Sequence, residues 1–290
     1  MSSAQSQAAR KPIVLIHGMW MTPHSWEKWI ARYSARGYDA IAPGWPGVDR
    51  SPAELREDPS ALKGLGLAKI VDHYDGIVRG LDQPPIVIGH SFGGLVTQLL
   101  LNRGLGAAGV AIATAPPKGV IALPPSTLRT GWPGLKNPFN RNGLAPLSAK
   151  QFQWRFTNTL GRAESDAIYE EQYIPGTNRA FVEDAFANLS GKSPAAIDFD
   201  NSARPPLLLV AGGADHVSPP ALNKSVLKLQ RKAASATELK EYPGRTHFTA
   251  GMDGWEEVAD YALEWAVQHA TAGVPAAVDA APERPATSPA

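Results

Sequence analysis

Pro85-Ile86-Val87-Ile88-Gly89-His90-Ser91-Phe92-Gly93-Gly94-Leu95 carries an apolar run straight into Gly-His-Ser-Phe-Gly-Gly. The run reads as a buried strand, and the amphipathic stretch Leu95–Arg103, which ends at Gly104, reads as the helix after it. A serine between strand and helix, with glycine two positions away on either side, fits a nucleophile elbow: a strained turn that pushes the hydroxyl outward. Gly89 and Gly93 are the two positions where a side chain would collide inside so tight a turn. The helix then aims its N-terminus, with unpaired amides and a positive dipole end, at Ser91. The five-residue pattern alone is weak, so its weight comes from what surrounds it.

Short apolar runs alternate with helical patterns on both sides of this turn. Strands are expected at Ile13–Ile16, Tyr38–Ala42, Ile86–Ile88, Val110–Thr114, Leu207–Ala211 and Glu238–Tyr242. Helices are expected near Ser25–Ala35, Lys69–Gly80, Phe92–Arg103, Pro219–Lys232 and Gly254–Ala270. Gly37 and Gly104 fit C-terminal caps, and Ser218-Pro219 fits an N-cap followed by a first-turn proline. The last helix sets Trp255, Val258, Ala259, Ala262 and Ala266 on one face, as a helix laid on a sheet would. Strand–helix alternation implies right-handed crossovers and an α/β doubly wound, mainly parallel sheet.

Residues 116–204 break this rhythm, because a single crossover needs far fewer positions. The interval opens with prolines (Pro116, Pro117, Pro124, Pro125, Pro133, Pro138, Pro146) and continues as helices near 149–160, 164–173 and 179–189. A Ser148-x-x-Gln151 capping box starts the first of these. Ten of the chain's 23 aromatic residues fall in the interval, among them Trp132, Phe139, Trp154, Phe156 and Phe181. Most should build its own small core, with a few facing the site. The expected organisation is a flexible N-terminus at 1–11, a core of 12–115 and 205–270, a helical insertion at 116–204, and a disordered Ala/Pro-rich tail at 271–290.

A serine hydroxyl needs a base, and the base needs an acid to orient it. On successive strands of such a sheet the chain order is serine, acid, histidine. Asp215 follows the strongly apolar strand Leu208-Leu209-Val210-Ala211 and the pair Gly212-Gly213. Asp198 and Asp200 precede that strand and fall at its wrong end. Of seven histidines, His24, His73 and His269 lie on expected helices, His90 alternates away from the serine, and His216 adjoins the acid. His247, in Gly244-Arg245-Thr246-His247-Phe248, ends the last strand on the correct side and is the candidate base. After the first strand, His17-Gly18-Met19-Trp20 offers a backbone amide that would join that of Phe92 in an oxyanion hole. Met19 is the expected donor, with Trp20 as the alternative; Gly18 lets the chain turn close to substrate, and His17 shapes the loop. Trp20, His90, His216, Val217 and Trp154 are candidates for the substrate pocket.

Composition narrows the remaining classes. The 290 residues include 28 Lys+Arg against 27 Asp+Glu, for a net charge of +1, with no basic block to recruit nucleic acid or an anionic membrane. There is no cysteine, so disulfides, thiolate nucleophiles and Cys-ligated metals are excluded. No pair of histidines has zinc-ligand spacing, and no metal or organic cofactor is expected. Residues 1–11 lack the apolar core of a signal peptide, and no apolar stretch approaches the roughly 18 residues of a membrane span. A cytoplasmic location is therefore expected, with a small molecule as partner.

His17-Gly18, the Gly-His-Ser-Phe-Gly-Gly elbow, Asp215 and His247 together resemble the serine α/β-hydrolase superfamily, over roughly residues 12–115 and 205–270. Gly44-Trp45-Pro46-Gly47 is similar to that family's proline-glycine loop after the second strand. The resemblance implies a cap domain at 116–204 and a sheet lacking the family's usual first antiparallel pair. It also implies cleavage of a carboxylic ester, or a related acyl compound with an apolar or aromatic group, through an acyl-enzyme on Ser91. Ser91 argues against the aspartate-nucleophile relatives, the epoxide hydrolases and haloalkane dehalogenases. Two alternatives stay open: the same triad in thioester, lactone, perhydrolase, carbon–carbon hydrolase or lyase chemistry, and a non-catalytic receptor on the same fold.

Overall fold

The computed structural model describes residues 10–121, 125–127, 129 and 140–270. The N-terminal segment 1–9, the tail 271–290, Trp132 and Phe139 lie outside the described residues. Six strands form one sheet: β1 (Pro12–Ile16), β2 (Asp39–Ile41), β3 (Ile86–His90), β4 (Ala108–Ile112), β7 (Leu207–Gly212) and β8 (Thr237–Tyr242). Their order is β2-β1-β3-β4-β7-β8, and every pairing is parallel. A parallel sheet must be covered on both faces. Alternation along β1 shows how: Ile13 and Leu15 pack toward one layer, Val14 and Ile16 toward the other.

The first layer contains α1 (Glu27–Ala35) and α9 (Trp255–His269). Of the five residues expected on the inner face of α9, Val258, Ala259, Ala262 and Ala266 are buried and Trp255 packs half-buried against them. The second layer contains α3 (Leu67–Arg79) and α4 (Phe92–Asn102). Gly37 (φ +85) and Gly104 (φ +74) take the left-handed conformation expected of them at the ends of α1 and α4.

Three expectations about these elements need correction, and one short helix was not expected. Helix α4 is not amphipathic, since every residue from Phe92 to Leu101 is buried. It lies between the sheet and the rest of the chain, and its polar members are satisfied internally: Thr97 donates to the Gly93 carbonyl and Gln98 to Thr114 Oγ1. Strand β4 starts and stops two residues earlier than its apolar run suggests, because Ala113 turns to φ +47. Helix α8 (Pro220–Gln230) has Pro219 at its N-cap; Ser218 instead donates its hydroxyl to the Thr114 carbonyl. The short helix α2 (Pro52–Glu57) has no apolar period to announce it, although a complete Ser51–Glu54 capping box opens it.

Residues 113–206 run between two neighbouring strands, β4 and β7. Within them β5 (Leu144–Ala145) pairs antiparallel with β6 (Gly176–Thr177). Helices α5 (Ala149–Phe156), α6 (Arg162–Gln172) and α7 (Asn178–Ala185) follow the expected pattern, with both halves of the Ser148–Gln151 capping box formed. Phe152 and Phe156 stack at 4.7 Å, and Tyr169 stacks on Tyr173 at 4.4 Å, but they do not form the separate small core expected of them. They are continuous with the hydrophobic layer that contains Val14, Ile16, Met19 and Trp20.

Candidate active site

Ser91 stands between β3 and α4 with φ 55 and ψ −117, a conformation that L-residues avoid. Its neighbours over-determine it. Its amide donates to the Ile112 carbonyl at 2.9 Å, and its own carbonyl accepts from Gly94, Leu95 and Ala115. A Cβ on Gly89 would overlap the Gly93 carbonyl, and one on Gly93 would overlap the Ile16 carbonyl, so strand, helix and first-strand loop meet with no side chains between them. Gly18 is equally confined: a Cβ there would lie 2.9 Å from that of Ser91.

Two further loops converge at the same edge of the sheet, beyond the C-terminal ends of β7 and β8. They are tied together by main-chain bonds, Gly213 N–H to the Tyr242 carbonyl (2.8 Å) and Ala214 N–H to that of Arg245 (2.9 Å). Gly212 makes the approach possible, because a Cβ there would sit 2.8 Å from the Thr246 carbonyl oxygen. The Ser91 hydroxyl donates to Nε2 of His247 at 3.0 Å, and Nδ1–H of His247 donates to Oδ2 of Asp215 at 2.8 Å. Oδ1 of Asp215 accepts from the amides of Val217 (2.6 Å) and Ser218 (2.9 Å). None of the three side chains belongs to a residue more than 3% exposed. Charges and dipoles out of water act at low dielectric, so the carboxylate can hold one imidazole tautomer and stabilise its protonated form.

The other candidates distribute as follows. The amides of Met19 and Phe92 have no acceptor among the described residues. His17 is buried; Nδ1–H donates to the Gly18 carbonyl (2.9 Å), Nε2 accepts from Trp45 N–H (3.2 Å), and the ring stacks on Trp45. Burial pushes its pKa down to about 4, which keeps the ring neutral and able to serve as both donor and acceptor. Trp20 takes φ +69 and donates its indole N–H to the Ala145 carbonyl, linking the first-strand loop to β5.

His90 belongs to a different role from the pocket role expected of it. It is buried, and its Nε2–H donates to the carbonyl of His247 at 2.7 Å, so the residue before the elbow serine holds the loop that carries the candidate base. Desolvation, helped by repulsion from His247, brings its pKa to about 3. Val217 contributes its amide to Asp215 and accepts from the Thr127 hydroxyl at its carbonyl. His216 and Trp154 are half-buried, their rings 4.7 Å apart, with Nδ1–H of His216 donating to the Trp154 carbonyl.

The rejected histidines lie elsewhere: His24 pairs with Glu27, His73 meets the Gly44 carbonyl, and His269 stacks on Trp265. Asp198 meets the C-terminal end of α4 through Asn102. One residue at the site escaped assignment from sequence. The Phe156 ring lies 4.9 Å from the His247 ring at 74°. Nothing in its local pattern separates it from the other aromatics of the 116–204 interval.

Among the described residues no helix is long and apolar enough to cross a membrane. No curated protein matches the chain in sequence. Solved structures do match it in fold. The monoacylglycerol lipase of Paleococcus ferrophilus is 20% identical with a TM-score of 0.61, over 89% of this chain and 95% of that one. A pyrethroid hydrolase from Sphingobium faniae JZ-2 is 16% identical with a TM-score of 0.58, over 89% and 98%. Tomato methylketone synthase I is 14% identical with a TM-score of 0.62, over 91% and 100%. The sequence pattern of the alpha/beta hydrolase family matches residues 13–261. With a six-stranded parallel sheet, helices on both faces and that match across most of its length, the chain belongs to the alpha/beta hydrolase family.

Proposed function

We propose that the protein is a serine hydrolase that cleaves a carboxylic ester, or a closely related acyl compound, through an acyl-enzyme on Ser91. The observation that carries this reading is the buried relay from Ser91 Oγ to His247 Nε2 (3.0 Å) and from His247 Nδ1 to Asp215 Oδ2 (2.8 Å). His247 takes the hydroxyl proton as Ser91 attacks the acyl carbon, and Asp215 stabilises the resulting imidazolium. The amides of Met19 and Phe92 receive the charge that develops on the acyl oxygen. His247 returns the proton to the departing alkoxide; it then takes a proton from the water that attacks the acyl carbon and passes it to Ser91 Oγ as the acyl–Oγ bond breaks and the acid leaves. The lipase and hydrolase names attached to structures of the same fold agree with ester chemistry.

Residues 116–204 are read as a cap whose aromatics favour an apolar acyl or alcohol group. A panel of p-nitrophenyl esters tests the reading directly. Wild type should turn over short or medium acyl chains and be labelled by a fluorophosphonate, and Ser91→Ala should lose about 10⁴-fold or more in kcat together with the label. A Ser91→Ala enzyme that keeps a tenth of the rate would refute it. Labelling without turnover on any ester would move the assignment to thioester, lactone or carbon–carbon chemistry on the same triad.

A further inference from the structure

The stretch 154–158, at the C-terminal end of α5, touches both loops that carry the acid and the base. The Phe156 carbonyl accepts from Phe248 N–H at 3.0 Å, next to the base. The Trp154 carbonyl accepts from His216 at 2.8 Å, next to the acid, and the Asn158 side-chain amide donates to the Ala214 carbonyl at 3.0 Å on the other flank. Between these bonds the fully buried Phe156 ring packs against the His247 imidazole at 4.9 Å and 74°, and against Trp20 at 6.0 Å and 89°. One aromatic ring thus contacts the candidate base and the loop of the candidate oxyanion donor at once.

We infer that Phe156 is a positioning residue, which fixes the imidazole of His247 between Asp215 and Ser91, and that residues 154–158 clamp the catalytic loops to helices α5 and α6. The inference rests on His247 being the base. The physical reason lies in the number of constraints an imidazole needs. Its two hydrogen bonds leave the ring free to tilt about the line joining Asp215 Oδ2 and Ser91 Oγ. Contact with an aromatic ring on one side removes that freedom, because a tilt would drive ring atoms into a packed wall. The His90 ring, also 4.9 Å from the imidazole, is a second packed surface against it. A reacting group displaced by about 1 Å costs roughly 10²-fold in rate.

Phe152 supplies an internal control. It lies one turn earlier on α5, is equally buried and stacks on Phe156 at 4.7 Å and 3°, but its other aromatic contacts are Tyr169 and Tyr173 rather than the catalytic loops. Full-length Phe156→Ala and Phe152→Ala proteins should lose thermal stability to a similar degree. Only Phe156→Ala should lose about 10²-fold in kcat on p-nitrophenyl butyrate, with KM within threefold. The downfield proton resonance of His247 Nδ1–H, which reports its bond to Asp215, should broaden in Phe156→Ala and persist in Phe152→Ala. Equal losses of kcat in the two variants, or a Phe156→Ala kcat within threefold of wild type, would overturn the inference. If Phe156→Ala does not fold, Phe156→Leu is read the same way, and a wild-type kcat in it is equally fatal. Should Ser91→Ala stay active, the hydrolase reading fails on its own, while the resonance still reports whether Phe156 holds the imidazole.

Discussion

Replacing Gly93 by alanine probes whether the elbow works through backbone contact. The added Cβ would overlap the Ile16 carbonyl oxygen, lie 2.7 Å from the Ile16 carbonyl carbon and 2.8 Å from the His17 carbonyl oxygen. Carbon–carbon contacts are optimal near 3.5–4.0 Å, so relief demands a separation of about 1 Å. All three atoms belong to the main chain of β1 and its loop, so no rotamer change can supply that movement. Helix α4 must back away from β1, taking Ser91 and the Phe92 amide away from Met19. Overpacking of this kind costs about 1–3 kcal/mol, which lowers Tm by about 2–12 °C in a domain of this size. The gain in helix propensity from alanine offsets at most about 1 kcal/mol of it. The same 1 Å should reduce kcat/KM for a p-nitrophenyl ester by about 10²-fold. Gly104→Ala is the matching control: φ is +74 with no atom near the new Cβ, so it should cost about 1–2 kcal/mol and leave kcat/KM unchanged. A Gly93→Ala enzyme with wild-type Tm and kcat/KM within threefold of wild type would refute the steric account of the elbow.

Two pH effects follow from buried groups. His17 and His90 are held to about 4 and about 3 in the fold against an ordinary value near 6.5. Between pH 6.5 and 4 the unfolded chain therefore binds two protons that the fold does not, and stability falls as pH drops, by about 2 kcal/mol for each histidine at pH 5. Asp184 on α7 works in the opposite sense. Its Oδ1 is buried with no hydrogen-bond partner among the described residues, and burial raises the carboxyl to about 8. The folded state keeps that proton from pH 4 to 8 while the unfolded chain releases it, so its contribution is lost as pH rises. In urea titrations between pH 5 and 6, Asp184→Asn should steepen the dependence of stability on pH by about one proton equivalent, about 1.4 kcal/mol per pH unit. An unchanged slope would rule out a protonated Asp184. In the Asp184→Asn background the slope should approach two protons, and a value under one would contradict the two neutral histidines.

The four central strands β1, β3, β4 and β7 were readable because each is short, apolar and buried along its whole length, the pattern that a parallel sheet covered on both faces imposes. The edge strands β2 and β8 carry exposed polar residues and were read from their place in the alternation. The meeting of the Ser91, His247 and Asp215 side chains was readable for a related reason: in this sheet the C-terminal ends of strands fall on one edge, so position after a strand determines which residues can meet. Helix α4 shows where that logic stops. Its stretch was expected to be amphipathic, yet Thr97 is buried with its hydroxyl turned back to the Gly93 carbonyl one turn earlier, and Gln98 is buried against Thr114, a partner that local pattern does not disclose.

Chain order and local pattern alone settled the alternation of strands and helices, the strained turn at Ser91, and which residues follow which strand. Tertiary structure decided what those residues touch. The bond from His90 to the His247 carbonyl spans 157 positions, and Phe156 reaches the imidazole from 91 positions away. Local pattern records how a segment pairs with its near neighbours, through periods of two and 3.6 residues. Contacts between distant loops depend on where each strand end is carried in space, and no periodicity encodes that.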